Sequence, residues 1–175
     1  GGFCAGGVIA FEIARQMRAQ GQAVEFLALI EPGVAPLSLR LSRGLISGIC
    51  RLAKLGPDRQ LDWFLRLRHI LRFPVRKDAR QLSLFPTVET LRRDETGIYA
   101  WIAADYIHRP YAGKVTFFWA KEKRDSRRAL WGKINTECAE GGEMHIIPGE
   151  HYGLIDENIH LLSEQLSKCL KETPR

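Results

Sequence analysis

The 175-residue chain has few cysteines, and their arrangement excludes the common zinc and disulfide patterns. Its four cysteines, at positions 4, 50, 138 and 169, include no CxxC pair, and no histidine cluster has the spacing of metal ligands. No apolar run approaches the roughly eighteen residues that a membrane span needs, and no basic-then-apolar leader opens the chain. These absences predict a reduced, cytoplasmic protein without a metal or redox cofactor of its own.

A hydrophobic content of 45% in a chain of this length is enough for one packed domain. The formal net charge of +6 comes largely from basic residues within 40–93 and 121–128. Local basicity raises the possibility of nucleic-acid binding. However, arginine alternates with leucine over residues 65–68, as on an amphipathic helix, and no recognition motif accompanies these residues. We therefore expect no nucleic-acid partner.

Hydrophobic periodicity predicts an α/β fold with a mostly parallel sheet. Apolar residues recur at helical spacing over residues 5–20, and Gly21 stands where a helix ends. The apolar run over residues 23–30 predicts a strand that is buried on both faces. Further strands are predicted over residues 114–120 and 143–147, and further helices over residues 130–138 and 156–171.

Residues 37–106 contain no convincing strand. Their apolar residues follow helical periods, with breaks at Gly56-Pro57, Pro74 and Pro86. A segment of roughly seventy residues is too long for a simple crossover between two strands. We therefore predict a helical insertion within one domain.

The run Gly2-Phe3-Cys4-Ala5-Gly6 fits the nucleophile-elbow pattern, in which glycines flank a nucleophile between a strand and a helix. The central residue of such an elbow occupies a strained, exposed turn, so the Cys4 sulfur would point out over the sheet. The start of the helix would also offer backbone N–H groups that can stabilise an oxyanion, that of Ala5 first. The alternative is that Cys4 is a small packed residue in a glycine-rich turn.

Glu31 and His151 follow the elbow in the chain order nucleophile, acid, base. Glu31 ends the first buried strand, at the edge where parallel sheets place catalytic groups. His151 follows the strand over residues 143–147, where it can reach the elbow as general base. A solvated loop carboxylate is the alternative interpretation of Glu31. Surface or core positions are favoured for the other histidines, which are His69, His108, His145 and His160.

The segment GGFCAGGVIAFEIARQMRAQGQAVEFLALIEP resembles the region around the active serine of the thioesterase domains that end nonribosomal peptide and polyketide synthetases. The family pattern there is G-x-S-x-G-G, then A-x-E-x-A-x-x-L, then a strand that ends in the catalytic acid. Residues 110–115, Trp131 and residues 148–151 are similar to the family as well. The resemblance covers nearly the whole chain except the helical insertion.

This resemblance implies a partial α/β-hydrolase fold, with the insertion over residues 37–106 as a helical lid above an acyl channel. It gives Cys4 the nucleophile position, Glu31 the acid position and His151 the base position. Cysteine replaces the usual serine, and glutamate replaces the usual aspartate. Many hydrolases of this fold carry the acid one strand later, so Asp125 is the alternative acid, or else an ordinary charged loop residue.

The activity that the resemblance implies is acyl transfer from a carrier-protein phosphopantetheine thioester to Cys4, then to water or to an internal amine or hydroxyl group. The phosphopantetheine would arrive on the partner, an acyl or peptidyl carrier protein, so the chain needs no cofactor. A basic lid rim could meet the acidic surface of that partner. The alternative is a catalytically inactive, thioesterase-like binding or scaffold module.

The chain has no initiator Met and opens in a predicted turn, which predicts the C-terminal part of one thioesterase domain. The earlier strands of the family, and the loop that supplies a second oxyanion N–H, would then be absent. For such an isolated fragment we expect an unpaired sheet edge, poor solubility and little activity.

Overall fold

The computed structural model describes residues 1–33, 35–74, 83–122, 131 and 141–173. The chain divides into two compact units, Gly1–Val34 with His108–Arg175, and Ala35–Ile107. The first unit contains a parallel sheet, and the described residues of the second are helical. The helix predicted over residues 130–138 lies outside the described residues, apart from Trp131.

The sheet has four parallel strands in the order β1-β2-β3-β4. They are β1 (Gly2–Phe3), β2 (Ala28–Ile30), β3 (Val115–Ala120) and β4 (Gly142–Ile147). Every residue of β3 is buried, as expected for a parallel strand with a neighbour on each side. β4 pairs with β3 alone among the described strands, and most of its residues are exposed.

The strand predicted over residues 23–30 shortens to the three residues of β2. Its longer neighbour β3 begins only at Val115, which limits the pairing. The Leu27 carbonyl still accepts the Thr116 N–H at 2.9 Å, but the residues before it have no described strand beside them. Apolar composition marked a segment that enters the core, whereas hydrogen-bond partners set the length of the strand.

The described α-helices are α1 (Ala5–Ala19), α2 (Leu37–Leu52), α3 (Pro57–Arg72), α4 (Val88–Arg92), α5 (Glu95–Asp105) and α6 (Ile159–Glu172). α1 ends as predicted, with Gly21 at a φ of 76° just beyond it. In α3, Pro57 occupies the first turn, where a missing N–H leaves no helical hydrogen bond unmade. Among the described residues, no helix combines the length and the apolar content that a membrane span requires.

Side chains of β3 alternate between two apolar layers. On one face, Phe117 packs against Trp131, which also meets Phe11 of α1 edge-on. On the other face, Phe118 belongs to a core cluster with Leu162 of α6. The sheet is therefore covered on both sides, which explains why its central strand is buried along its whole length.

The helical unit has an apolar core of its own, formed by Ile46, Cys50, Phe64, Leu65, Leu91 and Ala100. An ion pair joins Arg68 of α3 to Asp94 at 2.5 Å, just before α5. The Arg43 guanidinium lies 3.7 Å from the centre of the Trp101 ring. These contacts between α2, α3 and α5 hold the helices together as one compact body.

Candidate active site

Cys4 lies in the single-residue turn between β1 and α1, with φ 49° and ψ −114°. A strained backbone of this kind costs about 1–3 kcal/mol, so neighbouring contacts must hold it. The Cys4 N–H donates to the Ile30 carbonyl at 2.9 Å, and the Cys4 carbonyl accepts the N–H groups of Gly7 (3.1 Å) and Gly33 (2.9 Å). Three backbone hydrogen bonds therefore fix the turn, and the Cys4 side chain is half-buried.

Glycines on both sides of the turn let β1 and α1 approach closely. A Cβ on Gly2 would overlap the Gly6 carbonyl and lie 2.8 Å from the Gly7 nitrogen, and a Cβ on Gly7 would lie 3.0 Å from Pro32 Cβ. A Cβ on Gly6 would meet no described atom within 4 Å. The sequence pattern assigned the close approach to Gly2 and Gly6, but the structure assigns it to Gly2 and Gly7.

Gly2→Ala is expected to lower the free energy of unfolding by about 3 kcal/mol, because the new methyl group meets main-chain atoms that cannot move aside. Gly6→Ala is the matched control. It adds the same methyl group in open space and is expected to raise stability by up to about 1 kcal/mol, since alanine favours the helix. Urea unfolding of both variants measures the difference, and equal effects would contradict this assignment of the glycines.

Glu31 is the first residue after β2, in the position that corresponds to Cys4 after β1. Phe3 pairs with Ile30, so the two strands end side by side. Glu31 also has a positive φ, 45°, and its N–H donates to the Phe118 carbonyl at 2.8 Å. Cys4 and Glu31 thus share a positive φ, which turns the main chain out of the sheet at its carboxyl edge after each strand.

Two donors satisfy the Glu31 carboxylate, which belongs to a residue only 1% exposed. The Ala120 N–H donates to Oε1 at 2.6 Å, and His151 Nδ1 lies 2.9 Å from Oε2. A buried carboxylate without such partners would strongly destabilise the fold. Because an ionised carboxylate can only accept, Nδ1 carries a proton, and Nε2 is the nitrogen that can take up another.

His151 is held by the loop that follows β4. Gly149 in this loop has a φ of 104°, and a Cβ there would overlap the Asn158 side-chain amide. The Gly149 carbonyl accepts the Glu122 N–H at 3.3 Å. Only glycine adopts this φ without strain. The turn at Gly149 brings the imidazole of His151 back toward the sheet.

The imidazole of His151 is buried against the elbow. Its ring stacks on that of Phe3, with centroids 4.8 Å apart and planes at 29°. Because Phe3 immediately precedes Cys4, the stack sets the imidazole beside the turn that holds the sulfur. Glu31, His151 and the elbow thus meet at one edge of the sheet, whereas Asp125 lies outside the described residues.

The sequence profile of the thioesterase domain family matches residues 1–170, which is nearly the whole chain. The chain belongs to the thioesterase domain family. The cysteine in its elbow and the glutamate after β2 are therefore features of a thioesterase domain, and the predicted membership of the thioesterase domain family is confirmed.

This chain spans only part of the length of the proteins to which it is similar. The thioesterase domain is 30% identical over 105 residues to "Inactive atromentin synthetase invA6" of Paxillus involutus, a match over 57% of this chain and 8% of that protein. Its structure is similar to holo-AB3403, a four-domain nonribosomal peptide synthetase (22% identity, TM-score 0.56, 96% of this chain and 14% of that one). It is also similar to human thioesterase 2 (18% identity, TM-score 0.51, 97% and 71%). These likenesses confirm the predicted α/β-hydrolase fold.

Three residues make contacts in the thioesterase domain's candidate site that no sequence pattern predicted, although Phe3 and Trp131 belong to the segments that resemble the family. They are Phe3, which stacks on the imidazole; Ala120, which donates to Glu31; and Trp131, the indole of which donates to the Pro32 carbonyl at 3.1 Å. Ala120 is the last residue of β3, so a correct strand register would have placed its N–H beside the end of β2. Nothing in the local sequence marks the other two contacts.

Proposed function

We propose that this thioesterase domain transfers an acyl or peptidyl group from the phosphopantetheine thioester of a carrier protein through a covalent intermediate on Cys4. The observation that carries the proposal is the buried Glu31–His151 pair, 2.9 Å between Oε2 and Nδ1, beside the strained turn of Cys4. A carboxylate that orients an imidazole beside a nucleophile is the arrangement on which acyl-transfer enzymes rely.

In the first half-reaction, His151 Nε2 takes the thiol proton as the Cys4 sulfur attacks the thioester carbonyl. The oxyanion that forms is stabilised by the Ala5 N–H at the start of α1. When the intermediate collapses, the bond from the acyl carbon to the phosphopantetheine sulfur breaks. The leaving thiolate then takes the proton from the imidazolium, and one thioester has been exchanged for another.

In the second half-reaction, His151 deprotonates the acceptor that attacks the acyl-Cys4 thioester. Water as acceptor releases a free acid, and an amine or hydroxyl group of the acyl chain itself releases a ring. Glu31 stabilises the imidazolium in both half-reactions through the same Nδ1 hydrogen bond. Hydrolysis and cyclisation therefore use one set of residues and differ only in the acceptor.

A carrier protein is the partner that this reaction requires, and the structural likeness to a nonribosomal peptide synthetase supports that choice. We extend the proposal to the helical unit Ala35–Ile107, as the lid that shapes the acyl channel. Its basic residues suit the acidic surface proposed for a carrier protein.

A catalytically inactive binding module is the second candidate function. The observation that favours it is the curated relative in Paxillus involutus, which is named as inactive. Such a module would keep the fold and bind a carrier protein without forming a bond to Cys4.

The test is incubation of the protein that carries this chain with a short acyl-pantetheine thioester. Intact-mass measurement should show one added acyl group, and chromatography should show free acid accumulating at later times. Circular dichroism establishes that the sample is folded. A folded protein that forms neither adduct nor acid would refute the acyl-Cys4 proposal and favour the binding module.

A further inference from the structure

A second cluster of reactive side chains lies at β4, which is three strands away from β1 in the described sheet. Glu143 and His145 belong to β4, and Cys169 belongs to α6. A cavity of about 220 Å³ lies beside them. Its lining comes from the segments that precede β2 and β3, from β4, and from the end of α6, and includes Glu25, Lys114, Glu143, Cys169 and Glu172.

The distances between these side chains suit a shared metal ion. His145 Nε2 lies 3.4 Å from Cys169 Sγ and 3.8 Å from Glu143 Oε2, and the three atoms all lie within 4.8 Å of one another. In a tetrahedral zinc site with bonds of about 2.3 Å to sulfur and about 2.0 Å to nitrogen or oxygen, ligand atoms are about 3.3–3.5 Å apart. The distance from His145 Nε2 to Cys169 Sγ already fits that geometry, whereas the Glu143 carboxylate must move closer to the other two atoms.

One proton cannot join all three groups. The single nitrogen that faces both neighbours, His145 Nε2, can donate a proton to the carboxylate of Glu143 or accept one from the thiol of Cys169, but not both. A divalent cation accepts lone pairs from sulfur, nitrogen and oxygen at the same time. A shared cation would therefore join the three groups in a way that one proton cannot.

The charges and packing around the cluster favour a cation. Glu25, Glu143 and Glu172 line the cavity, and Lys114 is the one basic residue among its described lining. Lys114 Nζ bonds to Oε1 of Glu143, so Oε2 is the oxygen that faces His145. The imidazole itself is stacked on Phe118, with centroids 5.1 Å apart and planes at 17°, which restrains the ring in its present orientation.

We propose that Glu143, His145 and Cys169 bind a zinc ion, with water from the cavity at the fourth position. The mixture of thiolate, imidazole and carboxylate selects zinc over magnesium or calcium, which take oxygen ligands. The bound ion would join α6 to β4. The proposal departs from the prediction of no metal site. Its ligands come from separate elements, with Cys169 24 positions after His145, so no short motif in the sequence indicates them.

The test uses the protein in a Cys4→Ala background, which removes the half-exposed thiol of the elbow. After treatment with a chelator, the protein is titrated with Co²⁺ and, separately, with Zn²⁺. We expect one equivalent of Co²⁺ to bind with a sulfur-to-cobalt charge-transfer band, and Zn²⁺ to raise the Tm by several degrees. Neither result depends on thioesterase activity, so the proposal can fail or succeed apart from the acyl-transfer mechanism.

Cys169→Ser and His145→Gln are the diagnostic variants, and Cys50→Ser, in the core of the helical unit, is the matched cysteine control. The charge-transfer band should disappear in Cys169→Ser, the Zn²⁺-dependent rise in Tm should disappear in both diagnostic variants, and both signals should persist in the control. A band that survives in Cys169→Ser would overturn the proposal. Absence of saturable binding to the folded parent protein would do the same.

Discussion

Cys4→Ala is expected to abolish the acyl adduct and to reduce kcat for thioester hydrolysis by roughly 10⁵- to 10⁶-fold. Removing the nucleophile of a covalent acyl-transfer enzyme has effects of this size, because the remaining groups have no bond to form with the substrate. The fold should be unaffected, since the sulfur is half-buried and the turn is held by backbone hydrogen bonds. Intact-mass spectrometry and a thiol-release assay measure the two effects.

Cys4→Ser is the matched variant for this prediction. It keeps the turn and the imidazole but replaces the reacting sulfur with oxygen, as in the serine enzymes that share the elbow pattern. The adduct on Cys4 should be cleaved by neutral hydroxylamine, as thioesters are, whereas the oxygen ester in the variant should resist it. A hydroxylamine-sensitive adduct in Cys4→Ala would place the acyl group on another cysteine and rule out Cys4 as nucleophile.

Glu31→Gln is expected to lower kcat by roughly 10²- to 10⁴-fold, with the protein still folded. The amide oxygen can still accept the Ala120 N–H, but the amide NH₂ would face His151 Nδ1 and donate to it. The imidazole would then carry its proton on Nε2, where it can no longer take the thiol proton. Steady-state kinetics on an acyl-pantetheine substrate measures the loss.

Glu150→Gln provides the control for that substitution. Glu150 belongs to the loop that holds His151, but it is exposed, so the same change of charge should leave kcat within about twofold. Glu31→Asp tests whether the length of the side chain matters, because the shorter side chain cannot bond both Ala120 and His151 from the same backbone position. If Glu31→Gln and Glu150→Gln had equal kinetics, the acid role of Glu31 would have to be abandoned.

The candidate catalytic residues could be predicted from sequence because each obeys a local rule. Cys4 lies in a glycine-rich run before a helix, and Glu31 and His151 follow strands marked by apolar runs. The pairing of Glu31 with His151 also follows from a general property of parallel sheets, the strands of which end at a common edge. Their roles in the reaction stay predictions until the variants are measured.

Features that depend on register or on packing between distant elements were not predictable in the same way. The pattern named Gly6 as a flanking glycine, whereas Gly7 is the residue that contacts Pro32. Likewise, no local pattern in the sequence predicts the contact of Cys169 with His145. Cys169 belongs to the core, and the contact depends on how α6 crosses β4.

The Glu31 carboxylate depends on three neighbouring strands at once: it follows β2, accepts a hydrogen bond from the main chain of β3, and receives another from the loop after β4. Local opening of any one of these strands would disperse the site before the rest of the fold was lost. On the proposed mechanism, a form of the domain in which the sheet has opened would therefore lose activity, and a substitution that loosens the sheet far from Cys4 should be observed first as lost turnover. In a set of variants, catalytic rate would thus report on the integrity of the sheet.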